Sequence, residues 1–208
     1  SLQDHGKSEE AVQQYEAALK VQPQFHQAYN NIGVILQEQK RFETAMVIYD
    51  KALEINPSSA QVFKNKGVLY FQMKEFEFAI KNFKKALRIN PEFYEVHANI
   101  AEVLERQGKL KSALEFYAKS LEMNPGNHKV IARKLARHAG ICDWAFIKNN
   151  QGIIPRLGMS EKDVVEPLDM LALEDAPQRH KKRSEVYAKL RFSQVASALP
   201  PRVISKVK

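Results

Sequence analysis

The chain has 208 residues, of which 44% are hydrophobic and 27% charged, an ordinary composition for a globular protein. No apolar run approaches the roughly 18 residues that cross a membrane, and no charged start followed by an apolar stretch marks a secretory signal. The single cysteine, Cys142, excludes an internal disulfide and a cysteine-built metal site, so we expect an intracellular, cytoplasmic or nuclear protein.

The net charge of +8 is concentrated in the last third of the chain. Residues 1–127 contain 16 basic and 16 acidic side chains, whereas residues 128–208 contain 16 basic and 8 acidic ones. This division predicts two parts with different partners.

The chain begins with a pattern typical of the second half of a helical hairpin. Its residues are Gly6, Ala11, Tyr15, Ala18 and Pro23. Only Ser1 to His5 remain for a first helix, so we expect further repeats before Ser1, because an open half-hairpin would expose its groove.

Three full repeats follow, in which Asn31, Asn65 and Asn99 recur at a constant interval. Around each asparagine, bulky and small residues recur in the same register, and each unit ends in proline. The interval is the tetratricopeptide spacing of about 34 residues, in which small residues let two helices approach and aromatic rings fill the remaining groove. The pattern predicts an all-α fold: a right-handed tetratricopeptide superhelix over residues 1–127, with a concave side, followed by a mostly helical, partly irregular linker.

Proline marks the boundaries between hairpins, after Gln22, Asn56, Asn90 and Asn124. Within the units, we expect the two helices to separate near residues 40–41, 74–75 and 108–109. The helices should therefore have about 12 to 15 residues each.

Beyond the repeats we expect a capping helix over residues 128–140 and loss of the repeat register after Gly140. Residues 141–208 are interpreted as a basic linker leading toward a catalytic domain that this chain does not contain. Within it, Pro177 to Phe192 has helical spacing, and Leu199 to Arg202 has the composition of an extended segment.

The repeated asparagines are the main candidate site. First helices line the concave side of a tetratricopeptide array, so Asn31, Asn65 and Asn99 should form a ladder with rungs about 10 Å apart. A carboxamide can pair with both N–H and C=O of a peptide unit, and would meet about every third residue of an extended chain. The predicted peptide-binding set also includes Asn30 and Lys64. The alternatives are that the asparagines bond a neighbouring helix and that Lys64 is a solvated surface residue.

The sequence has no recognisable pattern for nucleic-acid binding, metal binding or catalysis. The basic cluster His180 to Arg183 has no interleaved aromatics and no nucleic-acid module, so we interpret it as a solvated helix face. His128 and His138 have no carboxylate or cysteine at metal-ligand spacing. We find no phosphate loop and no nucleophile elbow, and therefore assign no catalytic residue, metal ligand or cofactor to this chain.

The residues after the repeats carry a family resemblance. The chain has a tetratricopeptide array that ends in the element Cys142, Asp143 and Trp144. In this arrangement it resembles the O-linked N-acetylglucosamine transferases, including their SPINDLY-like relatives. The likeness continues through residues 167–177 and 187–192 and ends at Leu199 to Arg202, where the first catalytic strand would begin. Residues 145–165 show no clear match.

The resemblance implies a parent enzyme that moves a sugar from a nucleotide donor, such as a UDP-sugar, to Ser or Thr of intracellular proteins. It also implies that extended protein substrates lie in the asparagine-lined superhelix, with the donor site in the absent catalytic domain, so that this chain alone is inactive. We expect no nucleic-acid or membrane partner, and homo-oligomerisation stays open. The first alternative is a free-standing tetratricopeptide adaptor whose basic tail docks an acidic partner. The second is an RNA-associated helical repeat protein, whose affinity for RNA would fall steeply with salt.

Overall fold

The structure is a computed structural model that describes residues 2–160 and 164–192, and these ranges contain helices and no strand. The helices are α1 (Leu2–Val21), α2 (His26–Glu38), α3 (Phe42–Ile55), α4 (Ala60–Gln72), α5 (Phe76–Ile89), α6 (Tyr94–Arg106), α7 (Leu110–Met123), α8 (His128–Gly140), α9 (Trp144–Asn149), α10 (Pro167–Leu171) and α11 (Pro177–Phe192). A short 3-10 turn lies at Ile154–Arg156. The prediction for Leu199 to Arg202 lies outside the described residues.

Consecutive helices form the predicted antiparallel hairpins. Helix α2 packs on α3, α4 on α5 and α6 on α7, and the first helices α2, α4 and α6 also contact one another in order. The helices have 13 or 14 residues, within the predicted range. The all-helical tetratricopeptide superhelix is therefore confirmed.

Each hairpin turn has the same backbone geometry. Lys40, Lys74 and Gly108 adopt left-handed conformations with φ of 60°, 64° and 73°. In each turn this residue donates its N–H to the carbonyl three residues earlier, and the next residue donates to the carbonyl five residues before itself. These bonds satisfy the last carbonyls of the first helix, which is why the helices end where predicted.

The same turn occurs a fourth time, at Cys142. Its φ is 59°, its N–H donates to Ala139 O at 3.0 Å, and Asp143 N donates to His138 O at 2.9 Å. Helix α8 follows α6 at the same interval as α6 follows α4, and α9 follows α7 at that interval too. The prediction that the repeat register ends after Gly140 is therefore wrong for the backbone: α8 is the first helix of a further hairpin, whose second helix has only six residues.

Inside two of the hairpins, a glycine of the first helix packs directly against an aromatic ring of the second helix. A Cβ on Gly33 would lie 2.5 Å from a ring carbon of Tyr49, and a Cβ on Gly67 would lie 2.5 Å from a ring carbon of Phe83. Both rings are buried. The predicted role of small residues, which is to let the two helices approach, is confirmed at these positions.

The start of the chain differs from the expectation. Helix α1 is continuous from Leu2 to Val21 and passes through Gly6 without a turn. Residues 2–5 therefore extend the helix that packs on α2 and do not form the remnant of a separate first helix.

The segment after α8 folds back onto it. A buried cluster joins Leu135 and Ala139 of α8 to residues of the following segment: Ile147, Ile154, Leu157, Val165 and Met170. Helix α11 covers Pro177 to Phe192, as predicted. Within the described residues, no helix is long and apolar enough to span a membrane.

Arg183 corrects the interpretation of the basic cluster as a solvated face. The residue is only 1% exposed. Its Nε donates to Leu157 O at 2.7 Å, its Nη2 donates to Ile154 O at 2.8 Å, and its Nη1 pairs with Glu174. A buried guanidinium thus holds α11 against the turn that precedes α10.

Candidate functional site

A groove of about 500 Å³ runs across the first helices of four successive hairpins, α2, α4, α6 and α8. Helix α2 contacts α4 and α4 contacts α6, and Arg133 of α8 pairs with Glu102 of α6, so their exposed faces form one continuous surface. The lining residues are Val34, Gln37, Glu38, Lys64, Asn65, Val68, Gln72, Glu95, Ala98, Asn99, Glu102, Asn127, Lys129, Val130 and Arg133.

Three of the five predicted site residues line this groove: Lys64, Asn65 and Asn99. Asn30 and Asn31 of α2 do not line the groove, and Asn30 is buried. In the fourth hairpin, the register position of the asparagines is occupied by Arg133.

Some of the asparagines already form hydrogen bonds with each other. Asn65 Nδ2 donates to Asn30 Oδ1 at 2.8 Å, which joins α4 to α2, and Asn30 Nδ2 donates to Asn31 Oδ1 at 3.4 Å. Asn65 Oδ1 also accepts from Gln61 Nε2 at 3.4 Å. The alternative in which the asparagine bonds a neighbouring helix therefore applies to Asn65, which keeps one N–H and one acceptor site free.

Asn99 has a different environment. The matching position for Asn30 one repeat later is Lys64, which offers no carboxamide, and no hydrogen bond to the Asn99 carboxamide occurs within the described residues. Its full bonding capacity is available to a ligand.

Sequence reasoning missed three further carboxamides in the groove, those of Gln37, Gln72 and Asn127. Gln37 accepts from the buried Tyr49 hydroxyl at 2.9 Å, and Asn127 caps α8 by accepting from Val130 N at 3.2 Å. Asn65 and Gln72 are two helical turns apart and share one helix face, so helical spacing could have found Gln72.

Lys64 is half-buried at the groove edge. Its Nζ lies 3.6 Å from Glu95 Oε2 and 5.4 Å from the centre of the Phe93 ring. The lysine is thus held by an ion pair and a cation–π contact, and differs from the freely solvated residue of the alternative interpretation.

An ionic network lies at the α8 end of the groove. Arg133 pairs with Glu102, and Arg137 contacts Glu105 at 3.3 Å and Asp169 of α10 at 2.7 Å. Burial raises the pKa of Asp169 by more than the neighbouring arginines lower it. Helix α10 therefore contributes to this network a carboxyl group that takes up a proton more readily than an exposed aspartate.

Among residues 2–160 and 164–192, no group of three or more His, Cys, Asp or Glu side chains could hold a metal ion. His138 instead bonds Asp143, with 2.9 Å between Nδ1 and Oδ2, at the Cys142 turn. The Phe146 N–H and His138 lower the pKa of Asp143.

Comparison with known families and structures supports the tetratricopeptide fold. Three tetratricopeptide repeat models match the chain, over residues 1–60, 60–93 and 94–127. No match is found among curated proteins.

Several solved structures are similar to the chain. PilF of Pseudomonas aeruginosa has 21% identity and a TM-score of 0.69, with 92% of this chain and 87% of that one covered. MamA has 16% identity and a TM-score of 0.56, covering 91% and 94%. TTC0263, a tetratricopeptide protein of Thermus thermophilus, has 24% identity and a TM-score of 0.58, covering 64% and 74%.

At these identities the likeness shows the fold alone. The family models, however, account together for residues 1–127, more than half of the chain. The hairpins, turns and small-to-large contacts of the structure agree with them. The chain therefore belongs to the tetratricopeptide-repeat family, whose members bind other proteins.

Proposed function

We propose that the groove holds an extended segment of a partner protein, mainly by the main chain of that segment. The observation that carries the proposal is the set of carboxamides that line the groove on the first helices α2, α4 and α6 and at the N-cap of α8: Gln37, Asn65, Gln72, Asn99 and Asn127. A carboxamide both donates and accepts, so it can pair with a peptide unit whatever the side chain of that residue.

The spacing suits an extended ligand. Packed helices lie about 8 to 10 Å apart, and an extended chain advances about 3.3 to 3.6 Å per residue. A carboxamide from each helix would therefore meet about every third residue. The residues between these contacts can vary, and such a groove would accept many sequences.

The expected affinity is low. Three carboxamides that make two bonds each would contribute about 3 to 9 kcal/mol, against about 4 to 15 kcal/mol for association and ordering. The Asn30 to Asn65 bond reduces the contribution further, because it uses one N–H of Asn65. A longer array would bind more tightly.

We further propose that the chain is the substrate-recognition part of a protein glycosyltransferase similar to the O-linked N-acetylglucosamine transferases. The support is the resemblance of Cys142, Asp143 and Trp144 and of the residues after them, part of which lies outside the described residues. The donor site and catalytic residues would lie in a separate domain. Residues 1–208 should then show no hydrolysis or transfer from a UDP-sugar, and measurable turnover would contradict this assignment.

The coding sequence beyond Lys208 distinguishes this parentage from the adaptor alternative. Two further α/β domains would support the transferase, and a stop codon would support the adaptor. The groove proposal is independent of this outcome.

The groove is best tested with Asn99→Ala, because this carboxamide has no partner within the described residues and its loss should leave the fold unchanged. We expect the affinity of this variant for extended peptides, measured by fluorescence anisotropy, to fall about tenfold. The factor should be similar for every member of a panel of peptides with unrelated sequences. The matched control is Asn149→Ala, which removes an exposed carboxamide at the end of α9, outside the groove.

The triple variant N31A/N65A/N99A extends the test to the whole predicted ladder. It should weaken binding further while helix content, followed by circular dichroism, changes little. Unchanged binding by both Asn99→Ala and the triple variant would refute main-chain recognition by these asparagines.

A further inference from the structure

The groove contains as many acidic as basic side chains. Its charged lining residues are Glu38, Lys64, Glu95, Glu102, Lys129 and Arg133. The groove therefore has no net charge, and what it selects depends on which of these charges are already paired.

The charges in the middle of the groove pair with each other. Lys64 of α4 lies 3.6 Å from Glu95 of α6, and Arg133 of α8 pairs with Glu102 of α6. Each pair joins two neighbouring first helices. A ligand side chain with a charge here would have to compete with a bond that the protein already makes.

The charges at the two ends are free. Glu38 is the last residue of α2, and Lys129 is the second residue of α8. Both side chains are exposed, and within the described residues neither takes part in an ion pair. The groove thus has an unpaired negative charge at one end and an unpaired positive charge at the other.

The separation of these charges sets the length of the ligand. Helices α2 and α8 are three helix spacings apart, about 24 to 30 Å. Glu38 and Lys129 lie near opposite ends of their helices, which adds a displacement of roughly 16 Å along the helix axis. An extended chain crosses the resulting diagonal in about 8 to 10 residues.

We propose that the groove selects a dipolar segment of its protein partner, with a Lys or Arg near Glu38, a Glu or Asp near Lys129 and about 8 to 10 mainly uncharged residues between them. This inference rests on the proposed function: the carboxamides hold the main chain, and the end charges choose which way the segment lies. A segment with like charges at both ends is disfavoured at one of them.

The test uses four labelled peptides of one sequence that differ only at two positions, about nine residues apart to match this span. These positions carry Lys and Glu, Lys and Lys, Glu and Glu, or Gln and Gln. Anisotropy titrations at low salt should show that the wild-type chain binds the Lys/Glu peptide most tightly, by up to about fivefold per charge over the Gln/Gln peptide.

Single charge reversals should switch the preference. Glu38→Lys makes both ends positive, so this variant should bind the Glu/Glu peptide best. Lys129→Glu makes both ends negative, so it should bind the Lys/Lys peptide best. The matched controls Glu43→Lys and Lys111→Glu, at exposed positions of α3 and α7 outside the groove, should keep the wild-type order.

The outcomes separate the two proposals. Equal binding of all four peptides by the wild-type chain and both reversals would overturn the dipolar selection and leave main-chain recognition in place. Absence of binding by every peptide would overturn the proposed function and this inference with it. The preference should also disappear near 1 M salt, where charges are screened beyond about 3 Å.

Discussion

The array of α2 to α7 and the segment from α8 to α11 share a backbone pattern but are held together differently. In the array, Gly33 and Gly67 make room for the rings of Tyr49 and Phe83. In the fourth hairpin these register positions are occupied by Leu135 of the first helix and by Gln151, which lies beyond the end of α9, so no aromatic ring fills the space between the two helices there.

The short α9 leaves this fourth hairpin without a full second layer, and the following segment replaces it. That segment is held by the buried cluster around Met170 and by Arg183, whose guanidinium satisfies two carbonyls and one carboxylate. The hairpin turn at Cys142 therefore persists where the packing that accompanies it in the array has changed.

Replacing Arg183 should destabilise the second region alone. Arg183→Met keeps most of the side-chain volume but removes the donors of Leu157 O and Ile154 O and one partner of Glu174. We expect a loss of about 2 to 4 kcal/mol, because buried acceptors are left unsatisfied. Hydrogen exchange should show reduced protection over residues 154–183 and unchanged protection over residues 26–127.

Lys182→Met is the matched control, since Lys182 is the exposed neighbour of Arg183 on α11, and it should change stability by less than about 0.5 kcal/mol. If Arg183→Met weakened protection equally in both regions, the two would unfold as one cooperative unit, and Arg183 would not stabilise the second region separately.

Adding one methyl group should have opposite effects in the two regions. Gly67→Ala places a Cβ 2.5 Å from the Phe83 ring, and the helix-propensity gain of about 1 kcal/mol does not offset the overpacking, so we expect a net loss of about 1 to 2 kcal/mol. Gly140→Ala, at the end of α8, meets nothing within 4 Å and should gain up to about 1 kcal/mol. Urea unfolding of both variants gives the signs, and equal signs would contradict the packing described for the array.

Acid should weaken the second region through Glu174. Burial raises the pKa of this carboxyl, but hydrogen bonds from Arg179 and Arg183 outweigh that effect and hold it below its ordinary value of 4.5. Its stabilising contribution is therefore present above pH 4.5 and is lost as the pH falls through the lower value in the folded state. Thermal unfolding of the wild-type chain and of Glu174→Gln between about pH 3 and 6 should show a smaller pH dependence in the variant.

The sequence predicts the fold of the array well because its signals are local and repeated. The Asn-Pro boundaries and the constant repeat interval place α2 to α7 within the predicted lengths, and α11 is also predicted correctly. The fourth hairpin is not predicted because Leu135 and Ile147 stand where the preceding repeat has small residues. The residue types change there, while the backbone register continues. The turn itself depends on a left-handed Cys142, for which residue type gives no warning.

The candidate site is predicted less completely. The register of Asn65 and Asn99 follows from the repeat, whereas the bond from Asn65 to Asn30 depends on how two hairpins stack and joins residues 35 apart. The burial of Arg183 has the same origin. A basic cluster does not reveal which of its members faces carbonyls 26 and 29 residues earlier in the chain.

The constant spacing of the helix starts has a practical consequence for protein engineering. Because α4, α6 and α8 each begin at the same interval after the preceding first helix, a block such as Ala60 to Phe93 can be duplicated in tandem with the same neighbours on either side of the insertion. Each copy would add one carboxamide rung and lengthen the binding surface by one helix spacing. The length of the proposed groove thereby becomes adjustable, while the contacts of Arg183 beyond the last hairpin are kept.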